Sequence, residues 1–511
     1  MVVHKKLKWH QTSPGLWQRG IDEVEEFYAT MAALYEGSGR MFFAITGHVS
    51  IEVDVPSRMS VDESEKRLDA ALSKAWICMR YDHPTIASRV SLHSKTHEWI
   101  KSYQKILAAS DFEDWLRRTF IVLSNGQSGA EFANSDPPAP KDPTCFVLRQ
   151  PSARGEAGNF IIRRDIVLRS PHDIIDGIGT LMLFSNFIAR ASEAYSKGDS
   201  YPIPILDGSE NANLSPSYRI AALVPSVLTE AQERRIERII AQRAAVKSDA
   251  TVEILTVPFQ HGALVPGRHQ RSALTLSRDQ TSSFLAACKV NGVTPTHVFH
   301  AAAAVALRDL QPRPEVTKRV RYISYILRNE RSRCAEPFNS TRHPVALYHS
   351  VSGNSLVVDL DLRKAGDEPS DQDRKQEFYS VLKTIKAFYE GVRNDSDHYA
   401  LVPKLWALST PPLPVLSSHS FPVPLPNAHP SVSISSMGRS DTILTPKMGA
   451  FRVSNPWVTG EELGTGWGLF LSTFDGELCL SAAYNDAWHT RETVDDYLKR
   501  CRDIALTCLG L

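Results

Sequence analysis

The segment that most constrains this chain is 160–196. It opens as an apolar, β-branched strand pattern, Phe160-Ile-Ile-Arg-Arg-Asp-Ile-Val-Leu-Arg169, and continues at Asp176 into a helical pattern that runs to Ser196. Only Ser170-Pro171-His172-Asp173-Ile174-Ile175 separates the two. Pro171 cannot donate to a sheet ladder and ends the strand. Asp176 is placed to cap the helix, and Gly177 removes a side chain where backbone must approach closely. His172 therefore sits on a short loop at a strand terminus, where a rigid sheet aims it. The string reads H-x-x-x-D-G. A histidine near its ordinary pKa can take a proton from an alcohol or amine at neutral pH. A carboxylate four residues on can pair with a base and hold the loop in shape. Taken alone, the string describes equally well a loop histidine followed by an N-cap aspartate.

The remaining pattern is mixed α/β. Helices are predicted at 21–36, 61–78, 176–196, 229–246, 278–290, 295–309, 371–393 and 491–508. Strands are predicted at 41–54, near 86–92, 119–124 and 144–149, at 160–169, and at 252–256, 271–276, 319–328, 345–360, 431–437 and 467–483. Residues 197–216, rich in Pro, Gly, Asn, Ser and Asp, read as a linker. This divides the chain into a first lobe, 1–205, and a second, 206–511. A Pro-rich stretch at about 403–430 reads as a crossover or substrate-facing loop, incompatible with regular helix or central strand.

Composition narrows the class. With 58 Lys+Arg against 57 Asp+Glu, the net charge is +1, which argues against a protein built to hold nucleic acid or an acidic membrane. Seven cysteines without a CxxC, and no apolar N-terminal stretch, predict reduced thiols in a cytoplasmic protein. There is no run long enough to span a membrane. P-loop, zincin and GxSxG motifs are absent, and Gly177-Ile-Gly179 lacks the third glycine of a dinucleotide fingerprint. His297 and His300 stand at i, i+3 with no nearby carboxylate or cysteine, so no metal site is expected.

The H-x-x-x-D-G string in this strand–loop–helix context resembles the signature of the CoA-dependent acyltransferase superfamily, which includes chloramphenicol acetyltransferase, BAHD acyltransferases and condensation domains. Other segments resemble it too. These are the strand Tyr322-Ile-Ser-Tyr-Ile-Leu-Arg328, the segment Ser433-Ile-Ser-Ser-Met-Gly438-Arg439-Ser-Asp441, and the hairpin pattern Leu469-Phe-Leu-Ser-Thr-Phe-Asp475-Gly476-Glu-Leu-Cys-Leu-Ser481. The opening Lys8-Trp-His-Gln-Thr-Ser-Pro-Gly-Leu-Trp17 and the His-Asp-Ile-Ile-Asp-Gly form of the motif resemble fungal trichothecene 15-O-acetyltransferases. Two departures matter. Pro171 stands where condensation domains carry a first histidine. Gly464-Thr-Gly-Trp467-Gly468 keeps the Gly-Trp-Gly of a BAHD motif and lacks its aspartate.

The resemblance implies two chloramphenicol-acetyltransferase-like lobes, each a mixed sheet flanked by helices, with an active-site tunnel between them. It implies a monomer that holds no bound cofactor and uses acetyl-CoA as co-substrate to acylate a small hydrophobic alcohol. His172 becomes the general base and Asp176 a structural residue paired with an arginine, for which Arg328 is the expected partner. Ser433, Ser435 and the Trp467 indole are candidate oxyanion or substrate contacts. Arg321, Arg331, Arg333 and Arg342 form a basic cluster suited to phosphates or to a solvated face. The competing expectations are another acyl donor, an amine acceptor, or a silent ligand-binding member of the superfamily.

Overall fold

Most buried apolar residues gather in two large cores, and the architecture follows from them. The structure is a computed structural model that describes residues 5–93, 96–155, 158–413 and 421–511. The first core lies between a seven-stranded mixed sheet and two helices, Val61–Asp82 and Gly177–Lys197. In that sheet Ile45–Asp54 and Phe160–Ser170 pair antiparallel at the centre. Their inward residues Val49, Ile51, Ile162, Ile166 and Leu168 meet Leu68, Leu72, Phe184 and Ile188 of the helices. Both helices are capped as their sequences require, by Ser60 on the Glu63 N–H and by Asp176 on the Gly179 N–H.

The second core lies in the other lobe. One side is a four-stranded sheet of His269–Leu276, Glu477–Asn485, Trp467–Phe474 and Val432–Arg439. Beside it runs a three-stranded sheet of Glu253–Ile254, Lys318–Ser324 and Leu356–Leu362. Helices Arg278–Val290, Pro295–Asp309, Asp371–Arg393 and Arg491–Leu509 pack with them. The alanine run of Pro295–Asp309 is buried nearly throughout, and small side chains let its neighbours approach closely. This is the two-lobed α/β arrangement that the sequence implied.

Several details differ from the sequence reading. The predicted strand 319–328 is two pieces, Lys318–Ser324 and Leu327–Asn329, joined near a single bridge from Ile326 to Ile434. The predicted 345–360 is likewise His349–Val351 and Leu356–Leu362. The predicted 467–483 is, as its pattern at 469–481 implied, a hairpin that turns at Asp475-Gly476, both at positive φ. A fourth sheet, of His10–Ser13, Leu16–Gly20, Trp99–Gln104 and Ser88–Leu92, had largely escaped prediction.

The strand Phe451–Gly460 was not expected either, and it matters most. It leaves the second lobe and pairs antiparallel with Ile45–Asp54. A cut at residue 205 therefore does not separate the lobes cleanly: this strand and the short Lys447–Met448 belong to the first lobe's sheet. Arg169 and Glu461 fasten the crossing with a buried ion pair of 2.7 Å.

The Pro-rich stretch is corrected in part. Residues 403–409 are helical, within His398–Ser409, and Pro403 lies inside that helix. The Tyr399 carbonyl, which Pro403 cannot bond, accepts from the Tyr218 hydroxyl at 3.4 Å. Residues 414–420 lie outside the described residues. The described parts, 410–413 and 421–430, form no helix or strand. No helix among the described residues is long and apolar enough to cross a membrane.

Burial makes the fold acid-sensitive. Desolvation holds His83, His172, His300 and His398 down to about 3, and His269, His343 and His489 to about 4. Unfolded, each accepts a proton near pH 6.5. Their stabilisation is thus complete above that pH and lost as pH falls towards 4. Asp22, Asp173 and Glu462, raised by burial to about 7, 6 and 7, act in the opposite direction, but the histidines outnumber them. Tm should therefore fall by several degrees between pH 7 and pH 5. A melting curve unchanged across that interval would contradict this account.

Candidate active site

His172 projects from the loop between Phe160–Ser170 and Gly177–Lys197 into a cavity of about 1750 Å³ that both lobes line. Only 8% of its surface is exposed. Its ring lies flat on Tyr28, centroids 3.8 Å apart and planes at 18°. Burial, reinforced by the nearby His349, pushes its pKa down to about 3, while the His172 backbone, the Asp176 carboxylate and the Ile175 backbone pull the other way. The imidazole is therefore neutral at physiological pH and able to accept a proton. Its Nδ1 is buried and has no side-chain partner among the described residues, which leaves Nε2 as the nitrogen available for chemistry.

Asp176 holds the loop. One carboxylate oxygen accepts from the Gly179 N–H at 2.7 Å. The other accepts from the Arg331 guanidinium and from the Tyr348 N–H, each at 2.9 Å. Burial alone would raise this carboxyl; Arg331 and His349 overcome it and hold it well below the usual carboxylate range. Arg331 also donates to the Pro344 carbonyl at 3.3 Å. The packing leaves no room for a side chain at Gly179, where an added Cβ would stand 2.1 Å from that carbonyl. At Gly177 the atom in the way, 2.7 Å off, is the flexible tip of Met437.

The expected partner of Asp176, Arg328, is corrected to Arg331. Arg328 instead pairs with the buried Glu330 at 3.0 Å and donates to the Val392 carbonyl at 2.9 Å, at the cavity wall. The strand break after Ser324 and the 3-10 turn Arg331–Arg333 deliver the later arginine to the loop.

A second set of charges supports the loop from beneath. Lys101 donates to the Asp173 carbonyl and to Glu25, both at 2.7 Å, and Arg19 grips Glu25 with two bonds of 2.6 Å. Burial opposes ionisation of Glu25, but Arg19 and Lys101 hold it down to about 2.

The other sequence candidates divide. Alternation along Val432–Arg439 sends Val432 and Ile434 into the core, while Ser433 and Ser435 line the cavity. Trp467 is not there. It is 1% exposed and packs in the second core against Tyr497 and His489. The basic cluster disperses as well: Arg321 pairs with Asp359 and Asp249, Arg331 is buried on Asp176, and Arg333 and Arg342 are exposed away from the cavity wall. The cations that line the cavity are instead Arg243 and Lys247, from helix Glu230–Ser248, and Lys386 and Arg393, from Asp371–Arg393, together with Arg328 and Arg331. The aromatic part of the lining is Phe27, Tyr28, Phe42, Phe43 and Trp406. His300 is buried between the Tyr322 and Tyr389 hydroxyls, and His297 reaches the cavity wall against Tyr389.

No family model matches the chain. TRI3, the trichothecene 15-O-acetyltransferase from Fusarium sporotrichioides, superposes with a TM-score of 0.76 at 17% identity, over 99% of each chain. The first condensation domain of the CDA synthetase superposes with a TM-score of 0.57 at 14% identity, over 96% of each chain. The chain shares the fold of these structures. In sequence, the chain is 24% identical to acetyltransferase pigO of Monascus ruber, over 99% of both, and 24% identical to O-acetyltransferase pigM of the same organism, over 94% of this chain and 84% of that one.

Tyr348, His349, Tyr28 and Gly179 were not assigned to the site from sequence, and Arg331 was named only within the basic cluster. Only Gly179 left a local signal, two residues after the motif glycine. Replacing Arg331 with Met strands a buried carboxylate, at a cost of about 3–5 kcal/mol. Arg331→Met and Asp176→Ala should both lower Tm and abolish activity through loop disorder. His172→Ala should stay folded and be inactive, and a normal melting curve for Asp176→Ala would contradict the structural role.

Proposed function

We propose that this chain is an acetyl-CoA-dependent O-acetyltransferase acting in the cytoplasm as a monomer, and that it acetylates a hydroxyl of an apolar polycyclic secondary metabolite. The acceptor of first choice is the C-15 hydroxyl of a trichothecene. The observation that carries the reading is a neutral, buried His172 set in one cavity with an aromatic lining and a cationic lining. The first suits an apolar alcohol, and the second the phosphates of CoA. The full-length relatives named as acetyltransferases support the acyl group, and the fold shared with TRI3 supports the acceptor class.

In this mechanism His172 Nε2 takes the acceptor's hydroxyl proton as the oxygen attacks the thioester carbonyl. A C–O bond forms and a tetrahedral oxyanion develops. Ser433 and Ser435, whose hydroxyls line the same cavity, are the proposed donors to it. The C–S bond then breaks, and the leaving thiolate recovers the proton from the His172 imidazolium. No acyl-enzyme forms. Holding both reactants in one cavity lowers the barrier by several kcal/mol, and the base adds about 10²–10⁴-fold. Asp176 and Arg331 take no part in proton transfer; they fix the loop.

Two experiments test this. Thiol release from acetyl-CoA, across a panel of alcohols that includes a trichothecene with a free 15-hydroxyl, should require both an acceptor and His172. Absence of release from well-folded protein with every acceptor would exclude acetyl-CoA as donor. Lys247→Glu and Arg393→Glu should each raise KM for acetyl-CoA about tenfold at low salt, leave KM for the acceptor unchanged, and lose part of this effect as ionic strength rises. An equal rise in both KM values would refute phosphate recognition by these residues.

A further inference from the structure

The crossing strand Phe451–Gly460 does more than join the lobes. Past its bulge at Asn455-Pro456, Trp457 meets Arg271 of the second lobe's sheet, and a small cavity of about 10 Å³ closes around the contact. Its polar lining is Arg271, Ser440, Trp457, Ser472 and Ser481. No carboxylate is among the lining residues.

Arg271 is held in place by the first lobe. The Asn134 side chain accepts from its N–H at 2.8 Å and donates to its carbonyl at 3.0 Å. Its guanidinium lies over the Trp457 ring, 4.3 Å from the centroid. Among the described residues it forms no ion pair. The side chain it donates to is Cys479, with Sγ at 3.8 Å, and a thiol is a weak acceptor. Burial draws Arg271 below the usual arginine range, and that thiol alone pulls the other way. By contrast Arg19, Arg164, Arg169 and Arg331 each meet a carboxylate, at 2.6, 2.8, 2.7 and 2.9 Å.

Two further donors share the cavity. Ser440 is 1% exposed and Trp457 5%. The Ser440 hydroxyl, the Trp457 indole N–H and Arg271 Nε are all buried without a hydrogen-bond partner among the described residues. Guanidinium and indole can only donate. Three unpaired donors, one of them charged, are costly to bury together. The space admits one water-sized sphere. A water would accept from two of the donors and leave the charge unbalanced. A monatomic anion accepts from all three and balances it. Phosphate, sulfate and metabolite carboxylates are too large.

We propose that this cavity is a binding site for a monatomic anion, chloride being the abundant one, held by Arg271, Ser440 and Trp457. The anion ties the second lobe's sheet to the strand that crosses into the first. Met437 and Val458 line both this cavity and the one that holds His172, so the site backs the wall between them. The inference does not rest on the acyl-transfer reading.

The test is melting of the full chain in mixtures of sodium chloride and sodium gluconate at one fixed ionic strength, which keeps screening constant. Gluconate is too large for the cavity. Tm should rise by about 2 °C as chloride replaces gluconate and then level off, as a saturable site requires. Bromide should act alike. Arg271→Met removes the charge and should abolish the dependence on halide. Ser440→Ala keeps the charge and should raise the half-effect concentration several-fold. Crystals grown in bromide give a readout that needs no variant: anomalous density should mark one bromide in contact with the Arg271 guanidinium, the Ser440 hydroxyl and the Trp457 indole.

An equal Tm in every mixture would overturn the proposal, and a water or the Cys479 thiol would then serve the arginine. A halide dependence as large in Arg271→Met as in wild type would overturn it too, as would bromide density absent from this cavity. Density without any change in Tm would mean binding at crystal concentration only, and would also overturn it. If Arg271→Met does not fold, Ser440→Ala decides in its place, and an unshifted half-effect concentration would overturn the proposal.

Discussion

The site depends on one buried carboxylate. Asp176 ends the motif loop, caps the next helix through Gly179, pairs with Arg331 and accepts the Tyr348 N–H, so three chain segments meet on two oxygens. A buried carboxylate is costly unless every lone pair has a partner, and here two of the three partners come from residues more than 150 positions away. The loop that carries His172 can therefore form only when the 331–348 segment is in place. Folding of the first lobe and assembly of the cavity are coupled by that one requirement.

The same economy of charge shapes the cavity. His172 is kept neutral by burial, and its nearest ring is the phenol of Tyr28. The formal charges near the loop are locked into pairs, Asp176 with Arg331 and Glu25 with Arg19 and Lys101. Cations without a bidentate acidic partner, Arg243, Lys247, Lys386 and Arg393, are left to the wall supplied by the second lobe's helices. The charges closest to the loop are thereby neutralised in pairs, while the same cavity still offers positive charge to a ligand.

His172, Asp176 and Gly177 were legible because they are contiguous and because strand, loop and helix follow one another without interruption. Helices 278–290, 295–309 and 371–393 were legible to the residue, since caps and apolar period agree there. Arg328 was expected because the strand was read as continuous to residue 328; the break at Tyr325-Ile326 moves the geometry by one short turn and brings in Arg331. Trp467 looked available because a strand start can face either way, and only the packing of Tyr497 and His489 sends it inward. The crossing strand Phe451–Gly460 was missed because Asn455-Pro456 reads as a breaker. In the fold it is a bulge, with Asn455 at φ 49°, in a strand whose partner lies some 400 residues earlier.

What the sequence determined by itself is local: which stretches are strand or helix, where a proline must end a ladder, and that a histidine is delivered at a strand terminus beside a capping aspartate. These follow from nearest-neighbour sterics and periodicity, which act within a few residues. Tertiary structure decided which arginine neutralises the aspartate, which serines face the cavity and that Tyr28 and His349 converge on His172. Those outcomes turn on burial and on hydrogen bonds that must be satisfied across the chain. No spacing rule connects residues 28, 172 and 349; only the closure of two cores around one cavity does.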